Sequence, residues 1–225
     1  MKTVVFDIET VGCDFAQLDC FSQEYFLKFA EAEEFGGVRD GLSFYPLTAE
    51  VVAIGMMDVQ TQEGAVYFQD NGLGLEKIKH GSFYLHPGDE RTILANFWKQ
   101  LRHYDAFVTF NGRMFDGPFI MIRSAVHGLK VERNLVPYRY SAEEHVDLAD
   151  QLSFYGCLAR KFPLHLWCRT FQIPSPKEAG ITGLDVADLF RRGEYVRIAQ
   201  YCSDDVLATK RLYDVWRESF SSKAE

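Results

Sequence analysis

An α/β fold, a mixed central β-sheet flanked by α-helices, is predicted by three features of this chain. Short apolar runs read as buried strands, amphipathic stretches with helical spacing fall between them, and the C-terminal third turns almost wholly helical. Strand signals open the chain. Thr3 to Phe6 is an apolar run, and Glu50 to Val59 and Gly64 to Gln69 are two more, joined by the turn-like Gln60 to Glu63, so these three strands should form a meander. Asp89 caps a helix through about His103, Ala106 to Phe110 makes a short buried strand, and Asp116 to His127 is a helix ended by Gly128. Helical periodicity then dominates Gln151 to Arg160, Leu164 to Phe171, Asp185 to Arg191 and Glu194 to Ser219. One loop, Gln172 to Leu184, carries Pro174, Pro176, Gly180 and Gly183.

At 225 residues and 47% hydrophobic, the chain suits one well-packed domain over 1–225. Residues from about 13 to 47 interrupt the pattern as an insertion. Its centre, Ser22 to Glu34, is a predicted helix with Tyr25, Phe26 and Phe29 on one stripe, ended by Gly36 and Gly37; the stretch holding Arg39 and Gly41 follows. A formal charge of −8 argues against a broad basic surface for nucleic acid, since that mode works by Lys and Arg displacing counterions. A nuclease gripping a short strand through a few donors is still compatible with it. The five cysteines form no CxxC pair and show no metal spacing, so reduced thiols are expected. Asp7 and Glu9 break the first apolar run too early for a signal peptide, and no stretch reaches membrane-spanning length; a cytoplasmic protein is the expectation.

Chemistry concentrates in four carboxylates on three islands: Asp7 and Glu9 in TVVFDIET, Asp116 in FNGRMFD, and Asp205 in YCSDDV. On a strand the period of two sends Asp7 and Glu9 to one face and Ile8 to the other. Crowded like charges call for a cation, and hard oxygen ligands with no nearby Cys or His suit Mg²⁺ or Mn²⁺ rather than zinc. This is the pattern of a two-metal phosphodiesterase. In the last helix Tyr201 and Asp205 stand four residues apart and so share a face.

Asp7-Ile8-Glu9, then Asn111-Gly112 with Phe115-Asp116, then Tyr201 to Asp205, in that order, resemble the three motifs of the DEDD superfamily of 3′–5′ exonucleases in its tyrosine branch. The fuller wording, with His145 to Leu148, the Pro174-Ser175-Pro176-Lys177 loop and YCSDDV, is similar to the predicted exonucleases related to the proofreading domain of family B DNA polymerases. Gln200 stands where the histidine branch carries its base. The resemblance implies a ribonuclease H-like fold, two divalent ions (Mg²⁺ or Mn²⁺), and removal of nucleoside monophosphates from the 3′ end of single-stranded nucleic acid, DNA favoured over RNA. It implies that Asp7, Glu9 and Asp205 hold the first ion, that Asp7 bridges to a second with Asp116 on that side, and that Tyr201 orients the attacking water.

Asn111, Phe115 and Lys177 are the candidate substrate contacts: an amide in a turn, a ring that can stack on a terminal base, and a cation in the proline-rich loop. Core packing is an equally good reading of Phe115, and solvated charge the better one for Arg160 and Lys161. Asp204 is the runner-up to Asp205. Asp147 and Asp150 read as structural, with His145 to Asp150 taken as an edge strand whose polar residues face outward. The rival functions are an exoribonuclease of the same fold and a non-catalytic nucleic-acid-binding scaffold.

Overall fold

The computed structural model describes residues 1–28 and 41–221. Among these, seven strands form one sheet: β1 (Thr3–Gly12), β2 (Ala49–Asp58), β3 (Gly64–Gln69), β4 (Ile78–His80), β5 (Phe83–Gly88), β6 (Ala106–Thr109) and β7 (His145–Asp147), in the spatial order β4-β5-β3-β2-β1-β6-β7. β1, β2 and β3 are the expected antiparallel meander. Parallel pairing of β6 to β1, β7 to β6 and β5 to β3 makes the sheet mixed. The helices are α1 (Cys20–Lys28), α2 (Glu90–Leu101), α3 (Asp116–Val126), α4 (Leu148–Leu152), α5 (Leu164–Thr170), α6 (Val186–Arg191) and α7 (Tyr195–Ser219).

Alternation along β1 divides two apolar layers. Val4, Phe6 and Ile8 pack with Ile93, Phe97 and Trp98 of α2 and Phe119 and Ile120 of α3. Val5 and Val11 pack on the other side, with Ile198, Cys202 and Val206 of α7. Asp7 and Glu9 belong by parity to the α7 side, so the strand period alone aims them at the helix that carries Tyr201 and Asp205. Gly55 of β2, paired with Asp7, is what admits that helix: a Cβ there would stand 2.7 Å from Val206 Cγ2 and 3.1 Å from Cys202 Sγ. On the opposite layer the buried Glu90 accepts hydrogen bonds from Val51 N (2.8 Å) and Arg123 Nε (2.8 Å), and pairs with His127 (2.6 Å). That single carboxylate ties α2 to α3 and to β2. Burial pushes its pKa up, but the bonds from Arg123, His127 and Val51 outweigh burial and hold it below the usual range.

Several elements differ from expectation. β4 and β5 went unrecognised because Ile78–His80 is only three residues long and Pro87 interrupts Phe83–Gly88; both strands lie at or next to the sheet edge, where proline is tolerated. The helix expected over Gln151 to Arg160 instead occupies Leu148–Leu152 and ends in a 3₁₀ turn, since Phe154 (φ 50°) and Tyr155 (φ 56°) adopt left-handed backbone that no helix continues. β7 is an edge strand as expected, yet His145 and Asp147 are buried rather than outward. The insertion's helix appears as α1; Phe29, Glu34, Gly36, Gly37 and Arg39 lie outside the described residues. Among the described residues no helix is long and apolar enough to cross a membrane.

Replacing Glu90 with alanine leaves the Arg123 guanidinium and the Val51 amide unpaired in a nearly closed space. Breaking a buried pair in this one-sided way costs about 3–5 kcal/mol. Urea denaturation of Glu90→Ala should show a loss of that size, and a loss below about 1 kcal/mol would mean the node is dispensable.

Candidate active site

Three segments converge on the α7 side of β1. Asp7 and Glu9 come from the strand, Tyr201 and Asp205 from consecutive turns of α7, and Asp116 from the first residue of α3. Asp116 is placed by the sheet itself. β6 pairs with β1 only through Val5, so the Ile8 amide beyond the end of β6 has no strand partner on that side, and the Asp116 Oδ1 atom accepts it at 3.1 Å. The β1–β2 register shifts between Glu9 and Thr10, with Val52 as the extra residue on β2, which bends the ladder next to the carboxylates.

The turn ahead of Asp116 is held by a residue read as merely structural. Asp147, 2% exposed, accepts from the Asn111 amide (2.9 Å), the Arg113 amide (2.9 Å) and the Ala149 amide (3.0 Å). Asn111 adopts left-handed backbone (φ 63°), which asparagine tolerates. Gly112 follows because a Cβ there would stand 2.5 Å from the Thr109 side chain. Asp150, also buried, pairs with Arg113 and Arg139. The sequence NGRMFD thus encodes the shape of a turn, and Asp147 locks it.

The electrostatics are those of acids packed too closely. Burial first, then the charges of Asp116, Asp205 and Glu9, push the Asp7 carboxyl well above its ordinary range; burial and then Asp205 and Asp116 do the same for Glu9. Burial is also the largest cause for Asp116 and Asp205, each pushed up to about 7. For Asp205 the Tyr201 hydroxyl donates a hydrogen bond that opposes the rise, as does the charge of Lys177. Burial, reinforced by Asp205 and Glu9, drives the Tyr201 phenol far above its usual value, so it keeps its proton at neutral pH. Asp204, the runner-up, senses His80 and Arg211 instead of the strand acids.

A cavity of about 900 Å³ opens beside this cluster, lined in part by Glu9, Phe44, Phe115, Lys177, Leu184 and Arg191. Phe115 answers to both readings of it: the ring packs on Phe119 at 5.2 Å and also borders the cavity. Phe44, from the end of the insertion, meets Phe115 edge-on at 6.4 Å. Its neighbour Ser43 is fastened to β1, where Thr10 Oγ1 donates to the Ser43 carbonyl (2.7 Å) and the Gly12 amide donates to Ser43 Oγ (3.0 Å). Arg160 and Lys161 are exposed and do not line the cavity.

One expectation is overturned. Cysteine was held to be absent from the neighbourhood of the acids, yet Cys202 Sγ and one oxygen each of Asp7 and Glu9 all lie within 4.8 Å of one another. Sequence spacing hides this, because strand and helix are almost two hundred positions apart; only the place of Cys202 in YCSDD, one residue after Tyr201, hints at it.

Residues 44–219 match the model of a family described as predicted 3′-5′ exonuclease related to the exonuclease domain of PolB, and the chain belongs to that family. Among solved structures it is similar to the family B DNA polymerase from the hyperthermophilic archaeon Pyrobaculum calidifontis, with a TM-score of 0.62 and 16% identity over 96% of this chain and 24% of that one. The chain therefore spans about a quarter of that polymerase, and at this identity the likeness is one of fold: ribonuclease H-like. No curated protein matches the chain.

Carboxyls whose folded pKa is raised bind more protons in the native than in the unfolded state, so their contribution to stability is whole below about pH 4 and is lost as pH rises through about 7. In EDTA the melting temperature should fall between about pH 5 and pH 8. Asp205→Asn, which keeps an acceptor for Tyr201, should flatten that fall and be more stable by at least about 1 kcal/mol at the alkaline end. Parallel wild-type and variant profiles would mean the acids do not crowd as described.

Proposed function

We propose that the protein is a divalent-metal-dependent 3′–5′ exonuclease that releases nucleoside monophosphates from the 3′ end of single-stranded nucleic acid, DNA in preference to RNA. The observation that supports this most directly is the convergence of four mutually repelling carboxylates from three segments, one of which, Glu9, reaches the wall of a cavity of about 900 Å³. The donor set fits hard cations. Its carboxylates repel one another, no Lys or Arg among the described residues forms an ion pair with them, and burial plus mutual charge already hold their pKa values high. Asp7, Glu9 and Asp205 would hold one ion, and Asp7 with Asp116 would face a second. Divalent ions bound there supply the positive charge that favours an ionised attacking water and a departing 3′ oxygen.

The protein's own groups do the positioning. Tyr201, protonated and bonded to Asp205 in the metal-free protein, can hold a water in line with the phosphodiester, so positioning is its favoured role. Lys177, close enough to Asp205 to lower its pKa, stands where a phosphate entering the cavity would meet it. Phe115 offers a ring to the terminal base. Asn111 is fixed at the mouth of the same turn by Asp147 and can serve the substrate with its side-chain amide. The preference for DNA is supported by the family's relation to the exonuclease domain of PolB.

Incubation of 5′-labelled single-stranded DNA and RNA of one sequence with Mg²⁺ or Mn²⁺ should give a ladder shortened from the 3′ end, stronger on DNA and absent in EDTA. Asp7→Ala and Asp205→Ala should abolish it, whereas Tyr201→Phe should lower the rate by about ten- to a thousand-fold and no further. A ladder that survives either alanine change at saturating Mg²⁺ would show the acids are assigned wrongly. Mn²⁺ should also raise the melting temperature of the free protein.

A further inference from the structure

The thiol beside the strand acids changes which cations the site can take. Cys202 Sγ and single oxygens of Asp7 and Glu9 stand within 4.8 Å of one another, so a point about 2.8 Å or less from all three exists between them. Zinc-class ions bond sulfur at about 2.3 Å and carboxylate oxygen at about 2.0–2.2 Å, so side-chain shifts of well under 1 Å close the triangle. The place of the sulfur is set by the fold: Gly55 lets α7 sit against the sheet, and Sγ donates to the Asp7 carbonyl at 3.7 Å. A second observation points to a cation at the same spot. Glu9 is 7% exposed and borders the cavity, and among the described residues no hydrogen bond or ion pair reaches its carboxylate.

We propose that Asp7, Glu9 and Cys202 form a thiophilic metal site that binds Zn²⁺, Cd²⁺ or Co²⁺ in a tetrahedral arrangement and thereby switches the enzyme off. Soft thiolate ligation favours these ions over Mg²⁺ and Mn²⁺, and the Irving–Williams order also sets Co²⁺ and Zn²⁺ above Mn²⁺. As the metal–sulfur bond forms, the thiol proton leaves to solvent and its hydrogen bond to the Asp7 carbonyl is given up. The same two carboxylates cannot at that moment serve the hard ions of hydrolysis; Asp205 is not part of the close group, and the fourth position of the tetrahedron is left to water. Zinc therefore competes with the activating metal at its own ligands. Only the inhibitory half of this inference rests on the exonuclease reading; the metal site does not.

The test uses the metal-free full chain titrated with Co²⁺. Sulfur-to-cobalt charge-transfer absorption in the near ultraviolet, with the intense visible bands of tetrahedral Co²⁺, is expected in the wild type. Both should vanish in Cys202→Ser, with Cys202→Ala as the second variant should serine disturb the buried position. Both should persist in Cys13→Ser, the necessary control because Cys13 is exposed and lines the cavity. Absence of the bands in the wild type, their survival in both Cys202 variants, or their loss in Cys13→Ser would overturn the site. For inhibition, cleavage of the labelled single strand in Mg²⁺ is titrated with Zn²⁺. Loss of a ligand's supporting partner alone costs about 10- to 100-fold in metal affinity, so the zinc needed to halve each protein's own rate should rise at least about tenfold in Cys202→Ser. Equal zinc sensitivity in the two proteins would overturn the switch. Should no substrate be cut at all, the exonuclease reading fails while the cobalt spectra still decide the metal site.

Discussion

Each carboxylate in the cluster raises the free energy of the metal-free fold, because burial removes its water and its neighbours repel its charge. The segments that carry these acids therefore have to be secured by contacts away from the cluster. β1 lies inside the sheet with partners on both sides, and its alternate residues are locked into two apolar layers. α7 is seated on β2 at Gly55. The turn before α3 is pinned by Asp147, which in turn sits against Arg113 and the buried Asp150. Stability is built around the site so that the site itself can be destabilised, as is usual where strain or charge is held for function.

Much of this was legible in the amino-acid sequence. The strand period of Asp7 and Glu9, the four-residue step from Tyr201 to Asp205 and the strand-turn-helix setting of Asp116 are local patterns, and the structure brings all five residues to one place. Lys177 lines the neighbouring cavity in the loop where its proline context placed it. What escaped notice depends on long-range packing. β4 and β5 are too short and too interrupted to carry a period. The polar residues of HVDLAD look outward-facing by alternation, and partners distant in sequence explain their burial: the turn amides of NGRMFD for Asp147, the Arg113 side chain for Asp150, and Thr109 for His145. Cys202 stands three residues before Asp205, but the strand acids that make it interesting are in the first strand of the chain, almost two hundred positions away.

The family match begins at residue 44, near the end of the insertion before β2. Ser43 is hydrogen-bonded to Thr10 and Gly12, Leu42 is fully buried, and the Cys13 amide donates to the Thr48 carbonyl at 2.7 Å. Both ends of the insertion are thus fastened to one another a few residues beyond Glu9, and Phe44 and Tyr45 stand at that junction. Phe26 of α1 lies against Tyr45, itself part of the insertion, at 5.9 Å, whereas Phe29 lies outside the described residues.

The bond from the Ile8 amide to Asp116 gives one acid two allegiances. Its Oδ1 atom takes the place a carbonyl would have held had β6 continued, so one lone pair of the carboxyl group belongs to the backbone ladder while the rest face the site. An amide in its place could keep the ladder while abolishing the charge, but alanine would remove both at once and leave a buried donor on the first strand without a partner. Loss of activity in an alanine variant at this position would therefore mix an absent ligand with a loosened strand, and the position is one where the choice of replacement decides what an experiment measures.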